Sequence, residues 1–162
     1  MKKLFIAVLI LTLVNTIAFA AKTLTEKNIS KMLDQVIIAK EHKNIKSMRK
    51  HFLSRTSINL THQDIDVAKT YRFTFNEYKR HLSKKWKQVQ SNLIKVTDRK
   101  FNIDKNGKSA LVKTTLTQTI EIEGIKMQTT VYETTAISLI KGKIYINYYS
   151  ARKMLNTSVK VN

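Results

Sequence analysis

The scarcity of two residue types limits the fold of this chain most: proline is absent, and glycine occurs only at Gly107, Gly124 and Gly142. Glycine tolerates the positive backbone φ angle of tight turns, so isolated glycines between long runs mark chain reversals. The runs around them alternate apolar and polar side chains with a period of two, which is typical of β-strands. The pattern predicts an antiparallel meander with strands over residues 92–103, 109–123, 125–140 and 143–151.

The last two turns fix the register of this meander. Glu123-Gly124 and Lys141-Gly142 each suit a two-residue hairpin turn. Counting back from them pairs apolar residues with each other: Ile122 with Ile125, Ile120 with Met127, Leu116 with Val131, Ile137 with Ile146, and Leu139 with Ile144. A shift by one residue would move every side chain to the opposite face, so the match supports this register.

Helical periodicity precedes the strands. Apolar residues recur at intervals of three and four over 24–37, and Thr25 is placed to cap this helix. After a polar break, a shorter helix over 45–52 begins at Asn44. The chain therefore starts with a helical pair or a single kinked helix.

A third helix, over about residues 75–89, begins at a capping box formed by Thr74 and Glu77. It is strongly basic, and the chain as a whole has a formal charge of +19. We predict that this helix contacts anionic surfaces through Lys79, Arg80, Lys84, Lys85 and Lys87. A merely solvated basic face is the alternative. Trp86 shares the apolar side of the helix, so it is expected in the core rather than stacked on a nucleic-acid base.

The N-terminus has the three parts of a secretory signal peptide: two lysines, an apolar run, and Ala18-Phe19-Ala20 before Ala21. The apolar run is shorter than the roughly 18 residues that a membrane-spanning helix needs. We expect cleavage before Ala21 and export to a bacterial periplasm or to the medium, with an uncleaved membrane anchor as the alternative.

The chain has no cysteine, so an exported domain would fold without disulfides. After cleavage the remaining length suits one compact domain. The expected organisation is a signal peptide over 1–20, a single α+β domain over 21–155 and a polar tail over 156–162.

This element order resembles the nuclear-transport-factor-2-like superfamily, which includes SnoaL-like, ketosteroid-isomerase-like and polyketide-cyclase-like domains. The resemblance is carried by residues 37–54, where a helix, a polar link and a second helix precede the apolar strand Ser57-Ile58-Asn59-Leu60. It implies an α+β cone, with helices packed on a strongly curved antiparallel sheet, a pocket inside and often a dimer formed through the sheet. The acid groups of the ketosteroid-isomerase-like enzymes have no counterpart here, so their chemistry is not transferred.

On the predicted register the concave face is mostly apolar. We predict a ligand pocket lined by Thr114, Leu116, Gln118, Met127, Val131, Thr135 and Ile146. Glu133 lies opposite Thr114, and Tyr148 opposite Thr135. A desolvated carboxylate with a raised pKa beside a tyrosine hydroxyl suits proton abstraction next to a carbonyl, which makes Glu133 and Tyr148 the candidate catalytic pair. The alternatives are a β-bulge near Tyr132 that turns Glu133 to solvent, or a Glu133 paired with Lys or Arg.

Two further features are open to more than one interpretation. His62, Asp64 and Asp66 alternate as possible metal ligands, although a solvated loop is favoured and we expect no metal or other cofactor. Hydroxyl and tyrosine side chains line the predicted convex face. We expect a homodimer through this face, with Thr117, Thr130, Tyr132, Tyr145 and Tyr149 in the interface.

Three functions fit these observations. The first is an exported non-catalytic protein that holds an apolar or amphipathic ligand in the cone, or that docks in an envelope assembly. The second is a cofactor-independent isomerase or lyase that uses Glu133 and Tyr148. The third is a basic protein that binds anionic lipid, polymer or, less in keeping with the scarcity of arginine, nucleic acid. No phosphate-binding glycine loop, HExxH motif or nucleophile elbow indicates other chemistry.

Overall fold

The computed structural model describes residues 22–63 and 67–160. The predicted signal peptide and the candidate ligands Asp64 and Asp66 lie outside these ranges. The described elements are α1 (Glu26–Glu41), α2 (Ile45–Arg49), β1 (Phe52–Gln63), β2 (Ala68–Phe73), α3 (Phe75–Trp86), β3 (Ser91–Ile103), β4 (Ser109–Ile122), β5 (Ile125–Ile140) and β6 (Lys143–Lys160). No helix in the described part of the chain is long and apolar enough to cross a membrane.

Local signals set the helix starts as predicted, whereas α2 ends at Arg49 and α3 at Trp86, before the predicted ends at residues 52 and 89. Thr25 accepts a hydrogen bond from the backbone of Asn28, whose side chain caps Thr25 in return. Thr74 and Glu77 form the same reciprocal box at the start of α3. Asn44 caps α2 through the backbone N–H of Ser47. These contacts satisfy N–H groups that have no partner within the first turn of a helix.

The sheet has the strand order β2-β1-β6-β5-β4-β3. Strands β3 to β6 form the predicted antiparallel meander, and β1 adds to its edge in parallel with β6. In both two-residue turns, Glu123-Gly124 and Lys141-Gly142, each residue has a positive φ angle, as type I′ hairpins require. The predicted α+β fold of helices on a curled, mostly antiparallel sheet is confirmed.

The predicted apolar pairs of β4 with β5 and of β5 with β6 are confirmed up to Ile146. Beyond that residue a β-bulge changes the register: Ile137 pairs with Ile146, but Ala136 pairs with Tyr148, so Asn147 is the extra residue. A bulge exchanges the faces of all later side chains on its strand.

Strand β6 also continues past the boundary predicted at residue 155. Its backbone pairs with β5 as far as Lys160, which lies opposite Ile125. The described part of the predicted polar tail is therefore an extension of the strand. Because β5 is also long, it supplies the hydrogen-bonding edge that this segment needs.

The core lies between the helices and the concave face of the sheet. Phe52 and Phe75 pack with ring centroids 5.0 Å apart, and Phe52 also meets Tyr149 edge to face. Helix α1 contributes Ile29 and helix α2 contributes Met48, both fully buried. Packing of this kind places the end of α1 and the inner side of α3 directly over the middle of the sheet.

Candidate functional site

A small cavity lies between the concave sheet face, the end of α1 and the inner side of α3. Its volume is about 50 Å³. Its apolar lining is Leu60, Leu82, Trp86, Ile94, Leu116 and Val131, and its polar lining is Lys40, His62, Tyr78, His81, Lys85, Asn92, Gln118, Glu133, Tyr149 and Lys153. We call it the inner cavity.

A larger outer cavity of about 450 Å³ adjoins it toward the open end of the sheet. Gln118, Lys153, Lys85 and His62 line both cavities and so mark the junction between them. The outer walls add Gln63, Val67, Lys69, Ile120, Met127 and Thr129. This volume is within the range of about 300–1,000 Å³ that is usual for small-molecule pockets.

Three buried side chains form a closed polar group in the wall of the inner cavity. The Lys40 ammonium lies 2.8 Å from Glu133 Oε1 and donates to the Tyr149 hydroxyl at 2.9 Å. Tyr149 in turn donates to the same Glu133 oxygen. The side chains of Lys40 and Glu133 are each 10% exposed. Because all three groups bond one another, the charge of the carboxylate is compensated within the protein.

This pairing reverses the predicted direction of the Glu133 pKa shift. Burial alone would raise the pKa of its carboxyl, but the Lys40 ammonium and the hydrogen bonds from Lys40 and Tyr149 outweigh burial and lower the pKa. Glu133 is therefore ionised at neutral pH and held in an ion pair. The alternative of a Glu133 paired with a lysine describes its position better than the catalytic one.

The predicted partner Tyr148 is on the other face of the sheet. The bulge at Asn147 turns Tyr148 outward, where its hydroxyl accepts a hydrogen bond from Asn59 at 3.1 Å. It brings Tyr149, predicted for the outer dimer face, into the core, where it is 4% exposed. A tyrosine does lie beside Glu133, as predicted, but it is Tyr149 and not Tyr148.

A chain of amide contacts links α1 to the junction. Asn92 donates to the backbone carbonyl of Lys40 at 2.9 Å and accepts from Gln118 at 2.7 Å. Lys153 donates to the Gln118 side-chain oxygen at 2.8 Å. Buried amides with both ends bonded orient their neighbours firmly. The Lys153 ammonium is thereby held at the junction of the two cavities.

Four basic groups around the junction have lowered pKa values. Burial, with the charges of Lys85 and Lys40, lowers the pKa of Lys153 to about 7. Burial, with nearby cations, lowers the pKa of His62 to about 4 and also lowers that of His81. Burial lowers the pKa of Lys85 as well. Burial is the leading cause for all four groups, and nearby cations add to it for Lys153, His62 and His81.

The predicted pocket residues divide between three places. Leu116 and Val131 line the inner cavity, Met127 lines the outer one, and Gln118 lines both. Thr114, Thr135 and Ile146 lie on the far side of Glu133, around a gap of about 10 Å³ that α1 nearly fills. All seven predicted pocket residues therefore lie on the concave face of the sheet. Only part of that face borders a cavity that is open to a ligand.

The structure also tests which residues of the two predicted surface sites, the basic face of α3 and the convex face of the sheet, are exposed. Lys79, Arg80 and Lys84 are exposed on α3 and Lys87 is exposed just after it, whereas Lys85 turns into the cavity wall. Trp86 is half-buried and packs against the core. On the convex face, Tyr132 is 48% exposed, while Thr117, Thr130 and Tyr145 are half-buried.

Lys40 and Lys153 were missed from the sequence. Lys40 follows Leu33, Val36 and Ile37 at helical spacing, so its inward position was available from periodicity. Lys153 turns inward only because of the bulge, which nothing in the sequence marks. His62 and His81 also line the cavity. In the ranges 22–63 and 67–160, no three His, Asp or Glu side chains converge as a metal site.

Helices closing a curled sheet over a lined cavity define the class of protein as an α+β cone. A conserved protein from Planctomyces limnophilus has the same fold, with a TM-score of 0.68 and 10% identity, covering 81% of this chain and 97% of that chain. An NTF2-like protein from Cytophaga hutchinsonii has a TM-score of 0.65 and 10% identity, covering 81% of this chain and 100% of that chain. The chain thus has the nuclear-transport-factor-2-like fold.

A hexachlorocyclohexane dehydrochlorinase from Novosphingobium barchaimii is similar to the same extent, with a TM-score of 0.62 and 8% identity, covering 82% of this chain and 87% of that chain. At these identities the likeness establishes the fold alone, because one fold carries many functions. No family model and no curated protein matches the sequence.

Proposed function

We propose that this chain is an exported, non-catalytic binding protein that holds an amphipathic ligand in the cone. The observation that carries the proposal is the pair of adjoining cavities, which share polar groups at their junction and have apolar walls on both sides. Concave sites that combine apolar walls with placed polar groups are typical of small-molecule binding, and here polar side chains are the larger part of the lining.

The closed group of Lys40, Glu133 and Tyr149 argues against the predicted proton-abstraction chemistry. A general base has to reach the proton it removes, and Glu133 Oε1 already accepts from both Lys40 and Tyr149. Tyr148 lies on the opposite face. The binding function needs neither residue to react.

One observation favours an enzyme as the second candidate. The lowered pKa values leave the His62 and His81 imidazoles neutral at pH 7, and both line the inner cavity. A neutral imidazole can accept a proton from a bound substrate, and a lyase of that kind would have the fold of the dehydrochlorinase.

The proposal is tested by titrating the protein with decanol and decanoate in a calorimeter. Met127→Trp fills the outer cavity, and we expect it to weaken binding at least tenfold. Met154→Trp makes the same change on the convex face, where Met154 is exposed, and should leave binding unchanged. The proposal is wrong if neither probe binds, or if Met127→Trp binds as tightly as the unmodified chain.

A further inference from the structure

The cavity walls carry more basic groups than acidic ones. Six basic side chains line the two cavities: Lys40, His62, Lys69, His81, Lys85 and Lys153. Among the described residues of these walls, Glu133 is the only carboxylate. Lys40 compensates it at 2.8 Å. Glu133 also attracts the Lys153 ammonium, but neither Lys153 nor Lys85 forms an ion pair with a described carboxylate.

The two free lysines have donors to spare. An ammonium has three N–H donors, and Lys153 uses one on Gln118 at 2.8 Å. Lys85 makes no hydrogen bond or ion pair with any described residue. Lys153 and Lys85 are half-buried, and cations that lose water without gaining a paired counter-charge are costly and cluster at functional sites. A bound anion would remove that cost.

The dimensions of the two cavities decide where each part of a ligand fits. The inner cavity, at about 50 Å³, has room only for a small group, whereas the outer one, at about 450 Å³, has room for a chain. Lys153 and Lys85 stand between them. Beyond the lysines, Val67, Ile120 and Met127 give the outer walls an apolar character.

We propose that the ligand is an amphipathic carboxylic acid, whose carboxylate binds Lys153 and Lys85 at the junction while its alkyl body lies along Ile120 and Met127 in the outer cavity. The inference rests on the proposed binding function and adds the chemical class of the ligand. A carboxylate suits the junction because its two oxygens can accept hydrogen bonds from the two ammonium groups that line it.

The test compares decanoate with decanol, which have alkyl chains of similar length but differ in charge. We expect decanoate to bind at least tenfold more tightly to the unmodified chain. Lys153→Met and Lys85→Met should each remove most of that preference, because each removes one ammonium donor from the junction. Lys31→Met, at an exposed position of helix α1, is the matched control and should retain the preference.

The outcomes separate the two proposals. Equal binding of both probes, still blocked by Met127→Trp, would overturn the carboxylate and leave the binding function in place. Retention of the preference in both Lys153→Met and Lys85→Met would also overturn it. Absence of binding by either probe would remove both proposals. Circular dichroism of each variant identifies one that has failed to fold, and the other lysine variant then decides.

Discussion

Lys40 and Glu133 hold opposite charges inside the cone, 2.8 Å apart and each 10% exposed. An ion pair in such a place gains its attraction only after both groups have lost their water. The pair therefore contributes little net stability compared with apolar side chains of similar volume. Removing only one partner is different, because the other charge stays buried.

Lys40→Met is expected to lower the free energy of unfolding by about 3–5 kcal/mol, since it leaves the Glu133 carboxylate unpaired. The double variant Lys40→Met with Glu133→Leu should recover most of this loss. Urea denaturation monitored by circular dichroism measures both. A single variant as stable as the unmodified chain would show that water or another cation compensates Glu133.

The lowered pKa of Lys153 makes the free energy of unfolding depend on pH in the alkaline range. Its folded pKa is about 7, below the ordinary 10.5 that applies to the unfolded chain. Between these values the unfolded chain holds one more proton, so this contribution raises the free energy of unfolding with pH from about 7 to about 10.5. The contribution is complete above 10.5 and is lost as the pH falls toward 7.

The measurement is urea denaturation at a series of pH values across that window. Lys153→Met should flatten the rise, whereas the exposed Lys84→Met should preserve it. The difference between the unmodified chain and Lys153→Met isolates this residue from Lys85, whose pKa is also lowered. Parallel profiles for the two would mean that Lys153 keeps its proton in the folded chain.

At the scale of elements, the capping box of α3 tests whether local signals stabilise the helix that covers the cavity. Thr74→Ala removes the acceptor for the Glu77 backbone N–H and should cost about 1 kcal/mol of unfolding free energy. Ser83→Ala, in the exposed middle of the same helix, is the matched control and should be neutral or slightly stabilising. Equal effects of both changes in urea denaturation would contradict a capping role.

Sequence patterns predicted the elements well because their signals are local. Turn glycines gave the hairpins, the period of two gave the sheet faces, and the Thr74–Glu77 box gave the start of α3. The strand β2 and the parallel pairing of β1 with β6 lacked such signals, since both depend on contacts between distant parts of the chain.

The site was predicted less well for one physical reason. A single extra residue at Asn147 exchanges the faces of Tyr148 and Tyr149 and turns Lys153 inward. A bulge adds one unpaired residue to a strand, and no residue type marks its position here. A predicted register that assumes strict alternation of faces is therefore wrong beyond it. The inward-facing residues of β4 and β5 were predicted correctly because those two strands pair without interruption.

At the scale of the whole molecule, the charge of +19 and the convex sheet face act in opposite directions on association. Tyr132, Leu111 and Met154 expose apolar surface there, with Tyr132 48% exposed. Exposed aromatic and methionine side chains favour an interface, whereas a large net charge disfavours bringing two copies together. Salt screens that repulsion, so association should strengthen as ionic strength rises.

We propose a homodimer through this face, and Tyr132→Lys is its test. A lysine near the centre of a two-fold interface faces its own copy, so like charges meet and the dimer should dissociate. Tyr71→Lys, on the edge strand β2 away from this face, places the same charge on another exposed tyrosine and should not change the assembly. Sedimentation equilibrium at several salt concentrations measures both. A monomer for the unmodified chain at high micromolar concentration and high salt would exclude the interface, and the apolar convex surface would then need another partner.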